Sequence, residues 1–175
     1  MILAIDVSYH RNGATVAGVA FSDRFCKKEV AVFRSRLNSV EEYIPGSFFK
    51  RELPCILHLI SKYTLSPDMI LIDGYVFLDE KGRPGLGKYL FDALEKSVPV
   101  IGVAKSRFKT IPDETAIYRG RSRSPLYVTS AGVSLNEAKE FVMSMYGDFR
   151  IPYMLKKADR IARGVEPKNL EKGGW

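Results

Sequence analysis

The sequence has 175 residues with a net charge of +7, and 46% of its residues are hydrophobic. This composition excludes a disordered chain, and the two cysteines, Cys26 and Cys55, are too few for a disulfide scaffold, so both are expected to be reduced core thiols. No apolar run approaches the roughly 20 residues of a membrane span, and the amino terminus lacks a secretory signal, which predicts a cytoplasmic protein without membrane contact.

The first third of the chain predicts three strands, over Ile2–Val7, Thr15–Phe21 and Glu29–Arg36. Val, Ile, Ala and Phe are frequent in each segment, and short polar turn sequences separate them. Consecutive strands with short connections form an antiparallel meander.

The rest of the chain predicts helices that alternate with strands. In chain order they are a helix over 47–62, a strand over 69–73, a helix over 86–97, strands over 98–103 and 126–129, and helices over 134–146 and 152–164. Ser134 and Glu137 have the spacing of a capping box at the start of one helix.

This order of elements predicts an α/β fold. We expect a mixed sheet, with three antiparallel strands and then parallel strands, and with helices on both faces. One domain is expected over 1–164, with a flexible tail over 165–175. We expect a monomer without an obligate protein partner.

Positive charge is concentrated in the second half of the sequence. Residues 88–175 carry 16 basic and 10 acidic side chains, against 11 and 10 in residues 1–87. The densest basic stretch is Lys105–Arg123. Such a surface attracts phosphate polyanions, so DNA or RNA is the expected partner. The alternative is a solvated surface that keeps the protein soluble.

Several common types of reactive site are excluded. The sequence has no glycine-rich phosphate loop and no GxSxG nucleophile motif. The cysteines are not at metal-ligand spacing, and the two histidines, His10 and His58, are expected to be surface or packing residues. Carboxylates therefore remain as the candidates for chemistry.

Asp6 and Asp73 are carboxylates within or at the end of apolar strands. A charge in an apolar strand is costly unless it is paired or metal-bound, and Gly74 allows close approach to Asp73. If the two strands are neighbours, the carboxylates repel each other unless a divalent cation such as Mg2+ or Mn2+ neutralises them. For Asp6, the alternatives are a residue in a strand-end turn or a capped aspartate.

Six motifs follow one another along the chain. They are IDVSY with Asp6, YIPGSFFKRE over 43–52, LIDG with Asp73, VIGVAKS with Lys105, SPLYVTSAG over 124–132 and RIPYMLKKADRIA with Asp159. In this order they resemble the endonuclease V family of inosine-directed nucleases. The resemblance extends from Ile5 to about Arg163 and implies a ribonuclease H-like fold.

The resemblance implies a metal site and a catalytic centre. Asp6, Glu52, Asp73 and Asp159 are the implied ligands of Mg2+, which Mn2+ can replace, and Asp6, Glu52, Asp73 and Lys105 are implied to be catalytic. Bound ions of this kind polarise a phosphoryl oxygen and promote water as the nucleophile. Lys105 is implied to lie near the scissile phosphate, where its charge stabilises developing negative charge.

The residues alone leave other interpretations open for three of these side chains. Glu52 could instead be a solvated residue on a helix surface. Asp159 could be a helix-surface residue that pairs with Lys156 or Arg163. Lys105 could be an exposed lysine in a loop.

The resemblance also implies a substrate-binding wedge formed by Tyr43, Ile44, Pro45 and Gly46. An aromatic and aliphatic tip on a rigid turn can enter a base stack, and Gly46 and Gly74 are implied to allow close approach of a flipped base. The alternative is a loop that is anchored by burial of Tyr43 and Ile44.

The stretch after Asp73 departs from the family's pattern. The family has His-Pro-Arg and then Gly-x-Ala-Ser-His, whereas GYVFLDEKGRPGLGKYLFDAL contains neither histidine. Glu42 also replaces a common proline. The altered stretch, Asp79–Tyr89, leaves the acidic residues in place and predicts a relaxed or altered base preference.

The leading hypothesis is a Mg2+-dependent endonuclease of DNA repair or RNA processing. By resemblance, it hydrolyses the second phosphodiester on the 3′ side of deoxyinosine in DNA or of inosine in RNA. Two alternatives remain open. One is a relative that binds nucleic acid without cleaving it, and the other is a ribonuclease H-like nuclease with structure-specific substrates.

Overall fold

A computed structural model describes residues 1–39, 42, 44–45 and 47–165. These residues form a single seven-stranded sheet and four α-helices. The strands are β1 (Ile2–His10), β2 (Gly13–Phe21), β3 (Ala31–Leu37), β4 (Met69–Asp73), β5 (Val100–Ala104), β6 (Ala116–Ile117) and β7 (Leu126–Ala131). The helices are α1 (Phe48–Lys62), α2 (Leu86–Ala93), α3 (Leu135–Ser144) and α4 (Tyr153–Ala162).

The predicted antiparallel meander is confirmed. β1 pairs with β2 and β2 with β3, and the sheet order is β3-β2-β1-β4-β5-β7-β6. The tight turn from β1 to β2 requires glycine at position 13, because φ is +134° and a Cβ atom there would lie 1.9 Å from the carbonyl oxygen of Leu37.

The centre of the sheet is parallel. β4 pairs in parallel with both β1 and β5, so the predicted adjacency of the first and fourth strands is confirmed. The parallel arrangement predicted for the later strands holds for β4 and β5, whereas β7 runs antiparallel to β5. The connection over 105–125 contains a short 3-10 turn and the two-residue strand β6. It has no crossover helix, whereas a parallel pairing of β7 with β5 would require one.

Helices cover both faces of the sheet, as predicted. Leu59 of α1 and Leu90 of α2 are fully buried in one core cluster. Val142 of α3 and Ala158 of α4 are fully buried in a second cluster. All nine residues of β2 are buried because the strand lies between the two clusters.

Some boundaries differ from the predicted ones. α2 ends at Ala93 instead of Ser97, since Glu95 and Lys96 have φ values of 55° and 58°, outside the helical region. The two-residue strand β6 is too short to show a periodic pattern. The predicted capping box of Ser134 is present at the start of α3.

The two cysteines are free, as expected, but only Cys55 lies fully in the core. Cys26 is half-buried in the loop after β2. Each histidine contacts a hydroxyl group, His58 that of Ser35 at 3.0 Å and His10 that of Thr15 at 3.3 Å, in agreement with packing roles. In the described part of the chain, no helix has the length and apolar character needed to cross a membrane.

Candidate active site

Asp6 and Asp73 lie side by side at the ends of two parallel strands. The ladder between β1 and β4 ends with Ile5 opposite Ile72, so the two aspartates follow at the same level. Side chains alternate along a strand, and the preceding residues of the same parity, Ala4 and Leu71, belong to the core beneath α3 and α4. Both carboxylates therefore point towards the α4 face.

Two helices contribute the other predicted acids. α1 carries Glu52, which is buried with 7% exposure, and α4 carries Asp159. All four acidic side chains, together with Lys105, line one cavity of about 920 Å3. The structure thus brings together every acid that the sequence motifs predicted, and Gly74 lies in the wall of the same cavity.

Basic side chains contact two of the four acids. Lys105 Nζ lies 2.5 Å from Asp73 Oδ2, and Arg163 Nε lies 2.8 Å from Asp159 Oδ1. The alternative interpretation of Asp159 predicted an ion pair with Arg163, and this ion pair is present. The Asp159 side chain nevertheless also lines the cavity. The solvated alternative for Glu52 is wrong because the side chain is buried. Lys105 is half-buried and paired, which contradicts a freely exposed loop lysine.

The other two acids have strongly shifted pKa values. Burial, followed by repulsion from Asp73 and Asp159, raises the pKa of Asp6 from 3.8 to about 7. Burial and repulsion from Asp6 and Asp73 raise the pKa of Glu52 from 4.5 to about 9. Both shifts reflect a concentration of negative charge in a poorly hydrated place, and a bound cation would relieve it.

The donor chemistry of this cavity fits a hard divalent cation. Carboxylate oxygens are the ligands that Mg2+ and Mn2+ prefer. Within the described residues, however, no three Asp, Glu, His or Cys side chains converge closely enough to enclose an ion. An ion would therefore have to draw Asp6 and Glu52 together and compete with Lys105 and Arg163 for the other two acids.

Aromatic side chains that the sequence did not identify as site residues border the acidic cavity. Tyr9 and Phe48 line it, with their ring centroids 6.5 Å apart, and the Arg51 guanidinium lies 3.8 Å from the centroid of the Tyr9 ring. A sequence signal was present, since Tyr9 belongs to the IDVSY motif and Arg51 directly precedes Glu52.

A second pocket, of about 470 Å3, adjoins the acidic cavity. The two share Phe48, Gly74 and Tyr75. Its walls are aromatic, with the rings of Phe49 and Tyr89 stacked at a centroid distance of 3.8 Å. The altered stretch Asp79–Tyr89 supplies much of this lining, so the departure from the family's pattern coincides with a pocket of suitable size for a base.

The wedge segment is only partly described. Ile44 is 52% exposed and Pro45 is also exposed, so the alternative of a loop anchored by burial of Ile44 is wrong. Tyr43 and Gly46 lie outside the described residues, as does most of the predicted tail, from residue 166 onwards.

Comparison with known proteins identifies the family. A model of endonuclease V matches residues 1–124. The chain belongs to the endonuclease V family. The endonuclease V of Nostoc punctiforme is 29% identical over 185 residues, covering 92% of this chain and 81% of that protein. The endonuclease V of Geotalea uraniireducens is 30% identical over 148 residues, which cover 73% of this chain and 62% of that protein.

Solved endonuclease V structures have the same fold. The catalytic domain of human endonuclease V superimposes with a TM-score of 0.75 at 24% identity, covering 93% of this chain and 80% of that one. Ciona intestinalis endonuclease V, crystallised with a 23mer DNA containing an inosine, superimposes with a TM-score of 0.72 at 22% identity. The match covers 93% of this chain and 83% of that one. These structures confirm the predicted ribonuclease H-like fold. The match to the endonuclease V family confirms the prediction of an endonuclease.

Proposed function

We propose that this member of the endonuclease V family hydrolyses a phosphodiester on the 3′ side of inosine or deoxyinosine, with Mg2+ as its cofactor. The observation that carries the proposal is the convergence of four acidic side chains and one lysine on a single cavity of a nuclease fold. The Ciona intestinalis relative, which was crystallised with inosine-containing DNA, supports the choice of lesion.

Asp6, Glu52, Asp73 and Asp159 would hold the Mg2+, and Mn2+ would substitute for it. A bound ion of this kind supplies a polarised phosphoryl oxygen and an activated water. The raised pKa values of Asp6 and Glu52 indicate that their ionised forms are unfavourable in the metal-free cavity. A bound cation would stabilise these ionised forms. Lys105 presents a fixed positive charge beside Asp73, where it can stabilise charge developing on the phosphate.

The aromatic pocket is the proposed site of the lesion base. A volume of about 470 Å3 accommodates a purine, and the shared wall at Gly74 places such a base next to the acidic cavity. Extruding a base from a duplex costs a few kcal/mol, and stacking on aromatic side chains offsets part of that cost. Tyr43, Ile44, Pro45 and Gly46 are the proposed wedge that fills the vacated space.

A second function is favoured by two observations. Asp73 and Asp159 are each paired with a basic side chain, and no three potential ligands in the described part of the chain lie close enough together to enclose an ion. This arrangement suits a protein that binds nucleic acid without cleaving it. The altered Asp79–Tyr89 stretch keeps open a third possibility, cleavage of structured substrates other than inosine.

An incision assay separates the three functions. Oligonucleotides that contain inosine, uracil, a mismatch or a flap are incubated with Mg2+, beside a plain control. The proposed function predicts cleavage of the inosine substrate, leaving 3′-hydroxyl and 5′-phosphate ends, and its loss in Asp73→Ala. Binding without incision at any Mg2+ or Mn2+ concentration would establish the second function. Cleavage that prefers inosine by less than a few-fold would favour the third.

A further inference from the structure

Arg119 fastens two surface loops to each other. Its side chain is only 4% exposed, and its guanidinium donates hydrogen bonds to four backbone carbonyl groups of segment 145–150, at 2.5 to 3.4 Å. Gly120 brings the backbones close, because a Cβ atom there would lie 2.3 Å from the carbonyl oxygen of Asp148. Segments 118–124 and 145–150, called the loop pair below, therefore form one rigid unit.

The loop pair is joined to the wall of the active site. The Arg150 guanidinium donates hydrogen bonds to the carbonyl oxygen of Lys105 and, at 2.7 Å, to that of Pro125. Lys105 lines the acidic cavity. The loop pair is thus anchored to the backbone of a residue that lines the cavity of the proposed scissile phosphate.

The loop pair exposes aromatic and basic side chains together. Tyr118 is 59% exposed and Phe149 is 71% exposed. Lys156 Nζ lies 5.5 Å from the centroid of the Phe149 ring. Arg121 and Arg123 are exposed, and neither has an ion-pair partner among the described residues. Exposed aromatic rings beside basic side chains suit a ligand that carries both flat ring faces and negative charge.

We propose that the loop pair binds the unpaired nucleic-acid strand that flanks the scissile phosphate. Bases stack on Tyr118 and Phe149, and phosphates contact Arg121 and Arg123. Aromatic faces accept any unpaired base, whereas a duplex hides its base faces and leaves only phosphates to contact. This inference rests on the proposed nuclease function, because that function places a nucleic-acid strand at Lys105.

The test measures binding alone, on the full-length protein, in EDTA and without inosine. An unmodified single-stranded oligonucleotide is compared with the matching duplex by fluorescence anisotropy. Tyr118→Ala and Phe149→Ala are each expected to weaken single-strand binding about tenfold and to leave duplex binding unchanged. Arg121→Gln and Arg123→Gln should each lower the salt dependence, as log K against log salt concentration, by about 0.7 on the single strand.

Matched variants keep the test specific. Tyr118→Phe and Phe149→Tyr preserve an aromatic ring and should bind as the unaltered protein does. Tyr63→Ala removes another exposed ring, and it should have no effect on binding. Tyr63 is 38% exposed and packs against Phe33 of β3, which is at the opposite edge of the sheet from β6.

Three results would overturn the inference. They are no loss of binding in Tyr118→Ala and Phe149→Ala, a loss as large for the duplex as for the single strand, and an equal loss in Tyr63→Ala. The first would point to a protein as the occupant of this surface. Since neither metal nor inosine is present, a failure of incision would refute the proposed function without changing these binding results.

Discussion

The Lys105 ammonium donates a hydrogen bond to Oδ2 of Asp73 over 2.5 Å, inside the cavity lined by the four acidic side chains. Burial lowers the pKa of Lys105, but the hydrogen bond and the negative charge of Asp73, with further contributions from Asp159 and Asp6, outweigh burial and raise it. The lysine therefore stays charged at neutral pH, where it both neutralises Asp73 and competes with a metal ion for it.

Replacing Lys105 is expected to separate metal binding from catalysis. Lys105→Gln removes the competing cation, so Mn2+ should bind several-fold more tightly by isothermal titration calorimetry. The same change removes the charge beside the proposed scissile phosphate, and the single-turnover incision rate should fall about a hundredfold.

Lys109→Gln is the matched control, because Lys109 is exposed in the loop that follows and does not line the cavity. Neither metal affinity nor rate should change in this variant. An unchanged incision rate in Lys105→Gln would reduce Lys105 to an ion-pair partner of Asp73.

Glu52 should make the metal-free protein less stable as the pH rises. Its pKa is about 9 in the folded protein, against an ordinary 4.5, chiefly because the side chain is buried. Between these two values the folded protein binds a proton that the unfolded chain has released, so the free energy of unfolding falls with increasing pH. Metal-free protein should therefore melt at a lower temperature at about pH 8 than at about pH 5.

Glu52→Gln should flatten this dependence. It removes one of the two acids with raised pKa values, Asp6 being the other. The melting temperature should rise by several degrees at the higher pH, since about 1 kcal/mol corresponds to about 2–4 °C in a protein of this size. Glu140→Gln, which alters an exposed acid of α3, should leave the pH profile unchanged. Parallel profiles for the unaltered protein and Glu52→Gln would contradict the shifted pKa.

The sequence could predict the central pair of acids because their signal is local. Asp6 and Asp73 each accompany an apolar strand, and neighbouring parallel strands bring such residues to one sheet edge. Glu52 offered no such signal, since a helical acid is usually solvated and its burial depends on where α1 packs. Only the order of the family motifs identified it.

Contacts between distant segments could not be predicted. The stacked rings of Phe49 and Tyr89 come from α1 and α2 and meet only in the folded protein. The direction of β7 could not be predicted either. Residues 105–125 show neither helical nor strand periodicity over most of their length, so the sequence did not indicate whether a crossover helix joins β5 to β7. The basic stretch was visible in the sequence, but not the fact that Arg119 within it is buried and structural.

Ile44 should matter for duplex substrates and much less for single strands. Its exposed side chain is suited to entering a base stack, which is needed only where the lesion base is paired. Ile44→Ala is expected to lower incision of an inosine-containing duplex about tenfold while single-strand incision stays within about twofold. Val30→Ala, which shortens another exposed aliphatic side chain, should affect neither substrate. Equal losses on both substrates would contradict a wedge.

Arg83 should contribute to base preference. It is the one charged side chain among the described residues that line the aromatic pocket, and it has no ion-pair partner among them. A guanidinium donates hydrogen bonds, so it favours the carbonyl oxygen of hypoxanthine and disfavours the amino group that adenine carries at the same position. Loss of one such hydrogen bond to a charged donor corresponds to about a tenfold change.

Arg83→Met is therefore expected to lower kcat/KM about tenfold for an inosine-containing oligonucleotide, and not to lower it for the matching adenine-containing oligonucleotide. Lys81→Met tests for a general charge effect, because Lys81 is exposed in the same turn but does not line the pocket. It should alter neither value. If Arg83→Met slows cleavage equally at both bases, Arg83 contacts the phosphate backbone, and the preference for inosine must come from the backbone groups and aromatic walls of the pocket.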